Sequence, residues 1–417
     1  MITDVTEHDF PAIYERLVRL FPERPWLKRV QLLQHQVNES PMQGIVLRRD
    51  NCIAYGLSNW ERLGLANPDQ GLLEESLEAI GFAAQVVELC ESAALPEEGN
   101  RIFAGRVDGA FRNPPDMRAL LFELHIAVHL HRQGCKIVWT DESRGHDTYD
   151  MLVIPSDRPA VELECKSFAI DKGHPVPHDL AAAFLGKLVP NLRQILTIRP
   201  QTLIVITLSL ENGIPTSTTE QKCLAIQVCD AISNSACSVN GFCALQIHQI
   251  ELSGVLGEVA LTPKLAASIA DHHLGETALC HVVTPLADEC WVSVRLRSST
   301  VSQIFSRLFK SVKQTAKRAI RNQLTGSRPG CLALRFEGAT GSNLIAMSTE
   351  RLNPCAMLAT ELMKDPKHAH LATVTFMSIS ELTRISETAK TGRGISYYFD
   401  NSGGNYPNLG IGQLFAL

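Results

Sequence analysis

Ala160–Phe168 reads AVELECKSF, and upstream of it Tyr149–Ile154 reads YDMLVI. The five residues Pro155-Ser156-Asp157-Arg158-Pro159 lie between the two and have the composition of a turn. Side chains of a strand alternate between faces. Glu162, Glu164 and Lys166 therefore share one face of the second segment, while Val161, Leu163 and Cys165 share the other. Two acids and a lysine on an otherwise apolar strand are costly to bury unless they are paired or bind metal. If the segments form a hairpin through the Pro155–Pro159 turn, Asp150 approaches Glu164 across it.

Outward from this pair, Phe111-Arg112-Asn113-Pro114-Pro115-Asp116 is a break ending in an expected N-cap. Met117–Gln133 then reads as a buried amphipathic helix stopped by Gly134. Lys136–Thr140 is a short strand, Asp179 to about Ile198 a helix, and Thr202–Leu210 (TLIVITLSL) a buried strand. Helix, three strands, helix, strand describes an α/β layer domain. Before it, residues 1–110 are mainly helical, with Asp69–Cys90 at helical spacing. After it, strands are expected at 242–252, 281–285, 291–296, 331–336 and 372–377, with a long helix at about 301–324. At 417 residues two or three domains are expected. The divisions fall at 1–110, 111–215 and 216–417, the second near Gly213-Ile214-Pro215.

Composition narrows the class. Hydrophobic residues make up 45% and charged residues 20%, the balance of a chain with enough apolar material for a sizeable core. The longest strongly apolar run, Thr202–Leu210, is far short of a membrane span. The first residues, MITDVTEHDF, have acids where a signal peptide carries positive charge. A cytoplasmic protein with no membrane partner is expected. Twelve cysteines occur, but Cys223, Cys229, Cys237 and Cys243, the nearest to a cluster, form no C-x₂-C pair, which argues against structural zinc. The net charge of −5 excludes a protein basic over its whole surface, yet leaves room for a local basic face.

Carboxylates that hold Mg²⁺ or Mn²⁺, beside a lysine, are the groups that phosphodiester hydrolysis needs. Asp150 followed by Glu164-Cys165-Lys166 resembles the PD-(D/E)XK nuclease superfamily, the restriction-endonuclease-like fold, over about residues 116–210. The resemblance implies an α/β core with a mixed sheet flanked by helices. It implies that Asp150 and Glu164 bind metal, that Lys166 assists the attacking water, and that Glu123 on the preceding helix is an auxiliary ligand. Ser167 is a looser candidate for support, and Glu162 could substitute as a ligand although it sits outside the E-x-K register. Tyr149, rather than proline, precedes Asp150. The bare pattern also matches Glu220–Lys222 and Asp365–Lys367, but only Glu164–Lys166 lies in an alternating apolar strand. The bland alternative is a solvated edge strand with a Glu–Lys cross-pair.

From Trp291 to Phe336 the chain carries no acid, and Lys310, Lys313, Lys317 and Arg321 fall on one side of the expected helix. Such a side could track a phosphate backbone, or simply face water. His125 and His129 lie one turn apart but lack the H-E-x-x-H pattern and a third ligand, so core or surface histidines are expected. His146, Asp147 and His174 fall in loops flanking the acids, and Ser402–Pro407 reads as a turn. The expected activity is metal-dependent hydrolysis of nucleic acid, DNA ahead of RNA. The competing expectation is a non-catalytic nucleic-acid or protein binding module.

Overall fold

The computed structural model describes residues 9–39, 47–48, 50–63, 70–91, 97–140, 148–169, 178–196, 199–211, 213–239, 241–252, 261–274, 280–287, 290–298, 301–337, 344–345, 348, 353–378, 381–384 and 390–416. His146, Asp147 and His174 lie outside the described residues. The architecture is mixed α/β. Two compact units form: Met1–Leu33 with Arg48–Ile170 and Phe309–Leu417, and Gln34–Leu47 with Asp171–Leu308.

In the first unit, helices α1 (Phe10–Leu20), α2 (Pro25–Glu39), α3 (Cys52–Leu63), α4 (Gln70–Glu91), α5 (Glu97–Ala110) and α6 (Pro114–Arg132) precede strands β1 (Lys136–Trp139), β2 (Met151–Ile154) and β3 (Val161–Ala169). In the second unit lie α7 (His178–Ile195), β4 (Thr202–Leu210), α8 (Thr218–Ser233), β5 (Ser238–Val239), β6 (Cys243–Glu251), α9 (Pro263–Leu274), β7 (Cys280–Ala287) and β8 (Cys290–Ser298). The chain continues through α10 (Val301–Asn322), β9 (Gly330–Glu337), α11 (Pro354–Met363), β10 (Leu371–Met377), β11 (Glu381–Arg384), β12 (Lys390–Arg393) and β13 (Ser396–Asp400).

The first sheet has the order β1-β2-β3-β9-β10-β13. β3 runs antiparallel to β2 and parallel to β9, and β9 is parallel to β10. β3 is thus an interior strand, which removes the solvated-edge alternative. The second sheet, β5-β6-β4-β8-β7, has β4 at its centre, antiparallel to β6 and parallel to β8. This corrects the expected layer domain: Thr202–Leu210 does not join the strand that bears Glu164. The neighbour of that strand on the side away from β2 is instead β9, followed in the sheet by β10, more than 150 residues further along the chain.

The divisions expected at 110 and 215 do not coincide with the two units either. The N-terminal helices and the first sheet bury one shared core: Phe10, Leu17, Trp26, Ile80 and Phe103 lie in the same cluster as Leu163 and Cys165. A division at 110 would expose both halves of that cluster to water, at about 25 cal/mol per Å² of apolar surface.

α6 begins at Pro114, earlier than the expected cap at Asp116. Asn113 is extended at the cap position and Asp116 falls in the first turn. Proline already has the φ of a first helical residue and loses no needed donor there, and an acid in the first turn suits the helix dipole. The helix ends as expected, with Gly134 at φ 84.

The polar face of β3 is not uniform. Glu162 has 0% exposure, and its carboxylate accepts the Thr325 N–H at 2.7 Å and the Thr325 hydroxyl. Ser327 Oγ lies at 3.5 Å and Arg328 Nη1 at 3.9 Å. Glu162 therefore ties the start of β3 to the turn after α10, and is spent on structure rather than available as a ligand. Thr325→Val should destabilise the fold by about 1–3 kcal/mol, because it leaves a buried carboxylate oxygen short of a donor. Urea denaturation measures this, and an unchanged midpoint contradicts the assignment.

Candidate active site

The antiparallel ladder of β2 and β3 runs from Val153↔Val161 to Met151↔Leu163. Beyond it β3 continues to Ala169, paired with β9, while the chain before Met151 turns away. At that divergence a β3 amide would lack a ladder partner, and buried backbone donors must be satisfied. Asp150 supplies the acceptor: the Cys165 N–H donates to its Oδ2 at 2.7 Å. This bond fixes the Asp150 carboxylate against the strand segment that carries Glu164 and Lys166.

Glu164 is fully buried. Lys166 Nζ forms an ion pair with its Oε1, while neither carboxylate oxygen has a hydrogen bond of normal geometry among the described residues. Burial pushes the Glu164 carboxyl well above the usual range, and the charge of Asp150 adds to this against the pull of Lys166. For Lys166 burial acts downward, but Glu164 and Asp150 outweigh it, so the pKa is raised and the side chain remains an ammonium.

Glu123 reaches the same place from α6. It is buried, and desolvation first, then Asp150, pushes its carboxyl up to about 7, with Arg106 and Lys166 acting the other way. Arg106, on α5, donates to Glu123 Oε2 at 2.7 Å and lies 3.8 Å from Asp150 Oδ1. Its guanidinium sits 5.6 Å from the Trp139 ring centroid, and Trp139 is itself stacked on Phe103 at 4.9 Å. The structure thus brings together Glu123, Asp150, Glu164 and Lys166, and adds Arg106. The strand alternation that selected the others could not reveal Arg106. Its only sequence signal is a place near Gly105 and Gly109, where α5 presents little side-chain bulk.

Asp150, Glu123 and Arg106 also border a cavity of about 640 Å³ between α5 and α6. Among the described residues no three His, Cys, Asp or Glu side chains are arranged to hold a metal ion. The donor chemistry of the site nevertheless fits one. Hard carboxylate oxygens suit Mg²⁺ or Mn²⁺, which commonly take one or two protein carboxylates and complete their shell with water and substrate oxygens. The buried Glu164 Oε2, without a hydrogen bond among the described residues, is a donor of that kind.

Other candidates go elsewhere. Three of the four basic residues expected to face nucleic acid on α10 reach the surface but pair with acids of the same unit. Lys313 pairs with Glu361, Arg321 with Asp365 at 2.5 Å, and Lys317 lies 3.9 Å from Asp365. The compensating acids come from α11 and the turn after it, outside the acid-free stretch. Lys310 is exposed and makes no ion pair among the described residues. Ser167 falls on the face opposite Lys166, in register with Arg335. His129 has Nε2 3.0 Å from the Leu414 carbonyl oxygen and 2.8 Å from Gln133 Nε2, and burial lowers the His125 pKa to about 4. Glu220 and Lys222 lie on α8, and Asp365 caps a short 3₁₀ turn.

Comparison of the chain with protein-family models, with curated proteins and with solved structures returns no match. No helix among the described residues is long and apolar enough to cross a membrane.

A carboxyl whose pKa is raised by folding contributes stability fully below its unfolded value and loses it as pH rises through the folded value. For Glu123 that window runs from about 4.5 to about 7. Wild type should therefore lose stability across this range relative to Glu123→Gln, as read by urea denaturation at fixed pH steps. Parallel pH profiles for the two proteins contradict the burial of an ionisable Glu123.

Proposed function

We propose that this chain is a metal-dependent nuclease with a restriction-endonuclease-like core, acting on phosphodiester bonds of DNA ahead of RNA, in the cytoplasm. The observation that carries this reading is the 2.7 Å bond from the Cys165 N–H to Asp150. It brings the Asp150 carboxylate to the residue between Glu164 and Lys166, so the separate parts of the PD-(D/E)XK pattern meet in one place.

In this reading Asp150 and Glu164 hold Mg²⁺ or Mn²⁺, with Glu123 as auxiliary ligand. When bound, such an ion lowers the pKa of a water and neutralises charge on phosphate oxygens. Lys166 contributes as a fixed ammonium: it orients the attacking water and stabilises negative charge that develops in the transition state. In the absence of the ion, burial and then the charge of Asp150 push the Glu123 carboxyl up to about 7, so the cluster has a carboxyl that a bound cation would keep ionised.

A second reading rests on the same cluster. Arg106 and Lys166 already balance much of the acidic charge, as they would in a purely structural ion network on a non-catalytic binding module. Cleavage assays on plasmid, linear duplex, single-stranded DNA and RNA with Mg²⁺ or Mn²⁺ separate the two. The nuclease reading expects metal-dependent cutting that falls by about 10²–10³-fold or more in Asp150→Ala and in Lys166→Ala. Binding without cutting by wild type supports the module, and cutting that survives both substitutions places the active site elsewhere.

A further inference from the structure

We infer that the cavity between α5 and α6 is a nucleotide pocket, holding one nucleotide unit with its phosphate against Arg101 and Arg106. This inference rests on the nuclease reading for its biological sense, but the binding it describes is independent of cleavage. Three observations carry it. The first is size: about 640 Å³ is far more than an ion or a few waters require, and lies within the roughly 300–1,000 Å³ of small-ligand sites.

The second observation is how the space arises. Residues 101, 105 and 109 recur every four positions on α5, and 116, 119, 120 and 123 recur at helical spacing on α6, so each helix turns one stripe towards the cavity. Helices normally fill such a gap with interlocking side chains. Here Gly105, Gly109, Ala110 and Ala119 do not. A Cβ added at Gly105 or Gly109 would meet nothing within 4 Å.

The third observation is the separation of chemistry along the wall. The half-buried Ile102, backed by the buried Ala110 and Leu120, gives the wall an apolar part against which a flat base can lie. Arg101 offers an exposed guanidinium, which matches phosphate oxygens in charge and in geometry, and Arg106, already paired with Glu123, stands beside it on the same wall. Glu123 and Asp150, both buried, line the same cavity. An anion seated on the arginines would lie next to these carboxylates, an arrangement suited to a phosphate shared with a divalent cation and ill suited to a phosphate alone. Inorganic phosphate would leave most of the volume empty.

The same chemistry serves a free mononucleotide or the phosphorylated end of a strand, and the test distinguishes them. dAMP contains no phosphodiester bond, so its binding can be followed by calorimetry with Mn²⁺ whether or not the protein cuts nucleic acid. Competition by phosphorothioate oligodeoxynucleotides with a 5′-phosphate or a 5′-hydroxyl then asks which source is preferred. Gly105→Leu fills the pocket from a position where the added atoms have room, and Arg101→Glu reverses the charge of an exposed pocket residue. Each should weaken dAMP binding by about tenfold or more, equivalent to about 1.4 kcal/mol, with an unchanged circular-dichroism spectrum. A stronger competitor with a 5′-phosphate than with a 5′-hydroxyl assigns the pocket to strand ends, and equal competition assigns it to the free nucleotide. Failure of dAMP to bind wild type, or equal binding by both variants, overturns the inference. Cleavage without dAMP binding removes the pocket and leaves the nuclease reading intact, whereas dAMP binding without cleavage on any substrate does the reverse.

Discussion

Glu164 sits on an interior strand with no solvent exposure, paired with β9 on one side just past the end of the β2 ladder, with apolar packing on the opposite face. A carboxylate in such a place must be neutral, paired or bound to a cation, because the solvation it gives up is worth several kcal/mol. Two further acids, Asp150 and Glu123, are held beside it, and each raises the cost of ionising the next. Lys166 and Arg106 answer this charge. Three acids against two bases still leave one negative charge in excess when all five are ionised. The rest of the site can be understood as the means by which the fold holds that excess in place.

The means are local and simple. The β2–β3 ladder stops at Met151, and the Cys165 amide beyond it donates to the carboxylate of Asp150, the residue before Met151. β9 then covers the far side of β3 in parallel register, which makes the strand interior. α6 brings Glu123 down onto the same point, and Trp139 steadies Arg106 from the neighbouring strand. Small residues on α5 and α6 keep the space above the acids open. By contrast Glu162, on the same face of the same strand, is surrounded by donors from the turn after α10 and has no such surplus. The two glutamates differ only in what the fold places opposite them.

Much of this was legible in AVELECKSF and YDMLVI, because strand alternation and a short turn are local rules. They set Glu164 and Lys166 on one face and put Asp150 across from them, and the strand and helix segments elsewhere agree with the structure to within a few residues. What lay beyond them were partnerships between distant segments. Nothing in Thr202–Leu210 says that it joins a different sheet from β3, since a buried strand looks alike in either. Residues 171–308 form the bulk of a separate unit within the chain, so the sheet that holds the acids resumes only at Gly330. The acids that pair with α10 at Glu361 and Asp365, and the turn that satisfies Glu162, were hidden for the same reason. Arg106 had no pattern to announce it; its role depends on Glu123, Asp150 and Trp139 converging on it.

The central claim is that the buried acids form a divalent-cation site. Mn²⁺ titration followed by electron paramagnetic resonance tests it most directly, comparing wild type with the double variant Asp150→Asn/Glu164→Gln, which preserves volume and removes the charges. The account predicts a saturable Mn²⁺ site in wild type that is lost in the double variant while the fold persists. Wild type that takes up no Mn²⁺, or a double variant that binds it equally well, would mean that Lys166 and Arg106 already satisfy these acids and that the cluster serves only the structure.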